Sequence, residues 1–259
     1  VDYGEIGREA ASLALAGVGV AAALNQAARR QPRLGGWQFV PQEQLPLGMA
    51  YEAFIHERRS IPTRDNLHDF FNGLVWLRWP CLKQRLNQLQ AQAIAQQEGA
   101  AARGPLRDAI TVLDENGALL VAPAVMIEAL RAREWKRLFI ELRPLWRHAR
   151  LLPVGHALLE KLTVPRKPIT AHLLCVATEE DGGLARPSPG EVDAWLAQSR
   201  WLQARTLAQK PFSPLPVLGV PGWWAPNQDF CFYDDPLVFR APRTAQPAQQ
   251  PGGASECLA

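Results

Sequence analysis

Residues 61–97 predict two consecutive helices separated by a proline, and this pair constrains the fold most. Asp65 is a suitable N-cap for a first helix that runs to about Trp76, and Pro80 begins the second helix. An apolar stripe follows along the second helix, at Leu82, Leu86, Leu89 and Ala93. Because only a few residues join the helices, we expect them to pack against each other.

Two other segments predict β-structure. In residues 109–122, two runs of β-prone residues flank Asp114-Glu115-Asn116-Gly117 and predict a hairpin. Asn-Gly is the strongest short hairpin signal, because both residues tolerate a positive φ. Residues 169–177 are apolar on both faces and predict a central strand. The irregular alternation of helices and strands predicts an α+β fold: a helix-rich single domain with a β-hairpin and a small mixed sheet.

The two ends of the chain differ in character. Residues 7–30 predict one helix, and its apolar run 10–24 is too short for a membrane span, which needs ~20 residues, so we expect a buried helix and no membrane association. Residues 1–240 are predicted to form the single globular domain. Residues 241–259 have no periodicity and predict a disordered tail.

Composition and motifs exclude several classes of function. The chain has 259 residues with 28 basic and 25 acidic side chains, and this net charge of +3 does not indicate a nucleic-acid partner. The sequence lacks GxGxxG, P-loop, GxSxG and HExxH motifs. Its four scattered cysteines form no CxxC pair and predict free thiols in the cytoplasm.

The densest polar cluster lies on the first of the two helices. Spacings of three and four residues place most of its members on one face of the helix, and Arg64 flanks that face. The cluster consists of Arg64, Asp65, His68, Asp69 and Asn72. In the functional interpretation these residues form a hydrolytic site. His68 is then a general base or metal ligand, and Asp65 or Asp69 orients its imidazole. In the structural interpretation Asp65 is a cap, Asp69 is solvated, and His68 and Asn72 satisfy buried backbone groups.

A second group of polar residues could supply ligands for a divalent metal. His156 and Glu160 are four apart on a predicted short helix, and His172 lies in the predicted central strand, where a histidine can equally be a satisfied core residue. We expect His68, with Asp69 and Asn72, to face a cleft and to meet at least one residue of this second group. The substrate, the metal and any partner stay open.

Two aromatic segments support a different class of function. Residues 131–150 combine basic side chains with Trp135, Phe139 and Trp146, and residues 221–235 are rich in tryptophan. Either segment could serve a non-catalytic binding or scaffold protein. In both, the aromatic residues could instead pack onto the core.

Residues 62–87 resemble a bacterial domain-of-unknown-function family, number 3025, whose pattern is approximately PTRDNxHDxFNxLxWxxFPxxKxxLN. Trp79 stands where that family often has Phe. Further similar segments extend the resemblance to about residues 20–240. The resemblance implies a proteobacterial origin and no assigned activity. It draws attention to the polar positions within the matched motifs: Arg64, Asp65, Asn66, His68, Asp69, Asn72, Lys83, Asn87, His156, Glu160 and His172.

Overall fold

The computed structural model describes residues 3–30, 32–96, 104–178 and 188–242. In these ranges the α-helices are α1 (Gly4–Leu15), α2 (Val20–Ala28), α3 (Tyr51–Arg58), α4 (Leu67–Arg78), α5 (Pro80–Ala95), α6 (Pro105–Asn116), α7 (Ala124–Arg131), α8 (His156–Leu162), α9 (Pro189–Gln198) and α10 (Ala204–Ala208). The strands are β1 (Gln38–Pro41), β2 (Ser60–Thr63), β3 (Gly117–Ala122), β4 (Arg150–Pro153), β5 (Thr170–Ala177) and β6 (Ser213–Pro216). The predicted helix-rich α+β class is confirmed.

A mixed sheet with the strand order β4-β3-β5-β6 lies at the centre. Strands β3 and β5 are parallel, with Leu119 opposite Leu174, and both outer strands are antiparallel to their neighbours. Every residue of β3 is buried, and successive side chains enter two different apolar clusters, as Leu119 and Leu120 do. Elements therefore cover both faces of the sheet, and the prediction of a central strand at 169–177 is confirmed.

Helices α5 and α6 pack on the face of the sheet that bears Leu119 and Leu174. The apolar stripe of α5, the buried side of α6, and helices α9 and α10 contribute to the cluster on that face. Helices α4 and α5 contact each other, as their short connection predicts. Strands β1 and β2 form a separate parallel pair, and β2 ends at Thr63, just before the polar cluster.

The hairpin predicted at residues 109–122 is wrong. Residues up to Asn116 form α6, and the chain enters β3 directly at Gly117, whose φ is −79°. Ala109, Ile110 and Leu113 are spaced for a helix, and burying them against the sheet outweighs the β-propensity of the run. The backbone at position 117 lies so close to Leu113 that only glycine fits, because a Cβ added to Gly117 would overlap the carbonyl oxygen of Leu113.

The single helix predicted over residues 7–30 is also wrong. Gly17 and Gly19 adopt positive φ values of 85° and 81° and separate α1 from α2. Of the apolar run 10–24, Leu24 is fully buried, whereas Leu15 is 89% exposed. The described residues include no helix that is long and apolar enough to cross a bilayer.

The N-cap prediction for α4 needs a correction. The side chain that accepts from the backbone N–H of Asp69 is Asn66, the actual N-cap. Asp65 Oδ1 instead accepts from the backbone N–H of Val20 at 2.7 Å. Asp65 therefore stabilises the start of α2, which only the tertiary fold brings beside it.

The tail predicted to be disordered lies almost entirely outside the described residues, which end at 242.

Candidate functional site

Two histidines from distant parts of the chain meet edge to face. His68 lies in the first turn of α4 and His156 begins α8, and their Nε2 atoms are 3.0 Å apart. One turn further along α8, Glu160 Oε2 lies 2.9 Å from His68 Nδ1. Because an ionised carboxylate can only accept, His68 Nδ1–H is the donor of this hydrogen bond. The packing of α4 on α8 thus brings His68 to both His156 and Glu160.

The space beside the two Nε2 atoms favours a positive charge. When His68 is neutral and donates from Nδ1, its Nε2 carries a lone pair. Burial lowers the pKa of His156, which favours the neutral form of that ring. Glu115 Oε2 lies 3.6 Å from His156 Nε2, and ligand atoms of His68, His156 and Glu115 all lie within 4.8 Å of one another. One shared proton or one metal ion could hold these electron-pair donors together.

The spacing of these donor atoms suits a metal ion. Four ligand atoms about 2.1 Å from a tetrahedral ion lie about 3.4 Å from one another. Two of the three separations, 3.0 Å between the two Nε2 atoms and 3.6 Å from His156 to Glu115, bracket that value, and the third, between His68 and Glu115, is within 4.8 Å. Two histidines with one carboxylate are a ligand set of catalytic zinc and of non-haem iron centres.

The other ring nitrogen of each histidine faces an acid. His68 Nδ1 donates to Glu160, and His156 Nδ1 lies 3.7 Å from Asp114 Oδ2. His156 Nδ1 is buried and has no hydrogen-bond partner within the described ranges. In metal sites, a ligand histidine usually turns its second nitrogen to a carboxylate or carbonyl, which fixes the ring orientation. Both histidines here present Nε2 to one point and Nδ1 to a carboxylate.

Lys83 holds Asp114 in place. Its buried ammonium donates to Asp114 Oδ1 and, at 2.9 Å, to Asn72 Oδ1. Burial by itself would raise the pKa of Asp114, but the Lys83 charge, with smaller contributions from His156 and His68, keeps that pKa below its usual value. Asp114 therefore faces His156 as an anion, and Asn72, which also donates to Tyr51 Oη at 3.3 Å, positions the Lys83 head group.

A cavity of about 460 Å³ opens beside these residues, and His68, His156 and Glu115 form part of its wall. Asp69 also lines it, and this carboxylate accepts from Arg64 Nε at 3.1 Å and Nη2 at 3.0 Å. Asp69 is buried, so the alternative in which it is solvated is wrong. The Arg64 side chain, 60% exposed, is held at the edge of the cavity by this fork of hydrogen bonds.

Two of the sequence-based candidates lie elsewhere. Asp65 is engaged at the start of α2 and does not line the cavity. His172 lies on β5 with its ring beside Phe212, and burial lowers its pKa. The group of possible metal ligands that the described residues form contains neither His172 nor Glu160.

The two acids of α6, Asp114 and Glu115, are absent from the sequence-based candidates. The hairpin prediction assigned both to the turn between two strands. If the spacing of Ala109, Ile110 and Leu113 is interpreted as helical, the two acids lie at the end of a buried helix, immediately before a buried strand. The helical spacing was therefore the signal that could have found them.

The aromatic segments that support a scaffold function pack mainly inward. Trp135, Phe139 and Trp146 are buried in the cluster on the far face of the sheet, where the Phe139 ring is nearly parallel to both tryptophan rings. Trp224 packs against the same cluster, and Trp223 is 38% exposed.

Fold and cavity define a class: an α+β protein with a cavity lined by two histidines and several acids. Residues 37–243 match the family model described as "Protein of unknown function (DUF3025)". The match spans well over half of the chain, and the chain belongs to this family. No curated protein and no solved structure matches it.

Proposed function

We propose that this protein is a metal-assisted hydrolase whose divalent ion is bound by His68 Nε2, His156 Nε2 and Glu115. The observation that carries the proposal is the common orientation of the two imidazoles. Their Nε2 atoms converge at 3.0 Å, while Glu160 and Asp114 face their Nδ1 atoms. A proton-sharing histidine pair accounts only for the first of these features, whereas a carboxylate facing the second ring nitrogen is the usual arrangement of metal-ligand histidines.

In this proposal zinc is the ion of first choice, because two histidines and a glutamate form a known catalytic zinc set. Such an ion lowers the pKa of a bound water and polarises the bond to be cleaved. Glu160 holds the His68 imidazole in the ligand orientation by a hydrogen bond, and the Asp114 carboxylate faces His156 Nδ1 at 3.7 Å. Lys83 keeps Asp114 ionised and in place.

The remaining candidates on the cavity wall have positioning or substrate-binding roles in this proposal. The exposed Arg64 guanidinium contacts substrate at the edge of the cavity, and Asp69 holds its fork in position. Asn72 positions Lys83. Asp65 has no part in the chemistry, since its carboxylate serves α2.

We prefer this function to a scaffold role because the aromatic residues of 131–150 are buried in the core. The proposed setting is the bacterial cytoplasm, a reducing compartment that suits the free thiols of Cys81, Cys175 and Cys231.

The first test is the metal content of the untagged protein, purified without chelator and then exposed to zinc, manganese or ferrous iron. We expect about one ion per chain, lost in His68→Ala and His156→Ala. His172→Ala is the matched control, since it removes a histidine outside the cavity, and it should retain the ion. If the wild type binds none of these metals, or if His156→Ala binds them equally well, the proposal is wrong.

The second test is hydrolysis of p-nitrophenyl acetate, p-nitrophenyl phosphate and bis(p-nitrophenyl) phosphate by the metal-loaded protein. We expect one of these ester classes to be hydrolysed, and Glu115→Gln or metal removal to abolish that rate. A rate that survives both changes would contradict the proposed mechanism.

A further inference from the structure

Two residues on the wall of the same cavity have a buried amide oxygen that lacks a donor. Asn87 and Gln90 lie one turn apart on α5 and are 2% and 6% exposed. Both side chains line the cavity that His68 and His156 also line. Among the described residues, none donates a hydrogen bond to Asn87 Oδ1 or Gln90 Oε1.

The orientation of the Asn87 amide follows from its other contacts. Asn87 Nδ2 donates to the backbone oxygen of Glu52 at 2.9 Å and to Glu52 Oε2 at 2.6 Å. A flipped amide would set its oxygen against these two acceptors, so the free atom is the oxygen. Asn87 therefore presents a fixed acceptor.

Unpaired acceptors are rare inside proteins because they forfeit their hydrogen bonds to water. Two on one helix face, both in the wall of one cavity, indicate a place where a bound molecule supplies the missing donors. The Glu52 carboxylate, already engaged by Asn87, and the Arg107 guanidinium line the same cavity.

We propose that Asn87 and Gln90 form the subsite that recognises a hydrogen-bond-donating end of the substrate, either an ammonium or a hydroxyl group. This inference rests on the proposed function, because it places that end in the cavity of the proposed ion. The substrate is then a small polar molecule with a hydrolysable bond at one end and N–H or O–H donors at the other. Its size is limited by the cavity volume of about 460 Å³.

The test uses two probes of equal length, 1,3-diaminopropane and 1,3-propanediol, which differ only in carrying ammonium or hydroxyl donors. Each is titrated into the zinc-treated full-length protein, and the side-chain amide signals of Asn87 and Gln90 are followed by ¹H–¹⁵N NMR. We expect one probe to shift both signals saturably. The diamine alone would assign an ammonium subsite, and the diol alone a hydroxyl subsite.

The variant Gln90→Met removes one acceptor at nearly constant volume, and Gln92→Met, an exposed position on the same helix, is its control. We expect Gln90→Met to weaken probe binding at least tenfold while its metal content stays that of the wild type. Gln92→Met should change neither. If neither probe shifts the two signals, or Gln90→Met binds the probe as tightly as the wild type, the subsite inference is overturned.

These measurements separate the two claims. Metal binding without probe binding refutes the subsite alone. Probe binding at Asn87 and Gln90 in a chain that takes up no metal supports the subsite and refutes the proposed ion.

Discussion

His156 Nε2 lies 3.0 Å from His68 Nε2, although 88 positions separate the two residues in the sequence. The contact depends on the packing of α8 against α4, and on nothing local to either motif. It sets one nitrogen of each ring toward a common point beside Glu115 and the other toward an acid. The proposed metal site depends on this orientation of both rings.

Removing the acid behind His68 should weaken metal binding without removing a ligand. Glu160→Ala deletes the acceptor that holds His68 Nδ1–H, so we expect metal affinity to fall about 10- to 100-fold. Competition with a chromophoric zinc chelator measures the change. Glu128→Ala, an exposed glutamate on α7, should match the wild type. Equal affinity in Glu160→Ala would show that Glu160 does not orient a ligand.

Lys83→Met should destabilise the fold strongly. The substitution leaves the Asp114 carboxylate without its cation in a largely buried place, and breaking such a pair costs about 3–5 kcal/mol. Urea denaturation gives the free energy of unfolding. Adding Asp114→Asn to Lys83→Met should recover part of the loss, because the unpaired charge is then absent.

The control for that experiment is Lys210→Met, which breaks the exposed ion pair between Lys210 and Asp108. We expect a change below about 1 kcal/mol there. If Lys83→Met and Lys210→Met lower the free energy of unfolding by the same amount, the Lys83–Asp114 pair does not behave as a buried ion pair.

Gly117→Ala should lower the free energy of unfolding by about 1–3 kcal/mol through steric overlap with the Leu113 carbonyl oxygen. The φ of −79° at Gly117 carries no penalty for alanine, so the overlap alone accounts for the loss. Gly7→Ala in α1 is the comparison, because its added Cβ would meet only Leu74 at 3.5 Å, an ordinary contact. It should stabilise by up to about 1 kcal/mol. If Gly117→Ala leaves the free energy of unfolding unchanged, residue 117 does not lie this close to the Leu113 carbonyl oxygen.

Asp65→Ala should reduce stability but leave metal binding intact. Its carboxylate accepts from the Val20 backbone N–H, and loss of such a cap costs about 0.5–2 kcal/mol. Thermal denaturation together with the metal content of the variant checks both halves of the prediction. A variant of normal stability that had lost its metal would return Asp65 to the candidate site.

The site residues that could be predicted from the sequence are those that lie three or four positions apart on one helix. His68, Asp69 and Asn72 share a helix face, and His156 and Glu160 are one turn apart, so local periodicity was enough to select them. The buried strand β5 was predictable because a segment apolar on both faces has few alternatives.

Asp114 and Glu115 were not predicted as site residues, because Asn116-Gly117 indicated a hairpin where the apolar spacing indicated a helix. Burial of Ile110 and Leu113 against the sheet decided the outcome, and a single sequence does not display that burial. The role of Asp65 was also not predictable from the sequence, because the Val20 N–H that it binds lies on another helix.

The proposed metal site is tested by a crystal structure of the zinc-soaked protein with anomalous data collected at the zinc edge. We expect one anomalous peak about 2.0–2.2 Å from His68 Nε2 and His156 Nε2, with Glu115 as the third protein ligand. No peak between the two imidazoles after soaking, or zinc found only at other residues, would contradict the proposed metal site.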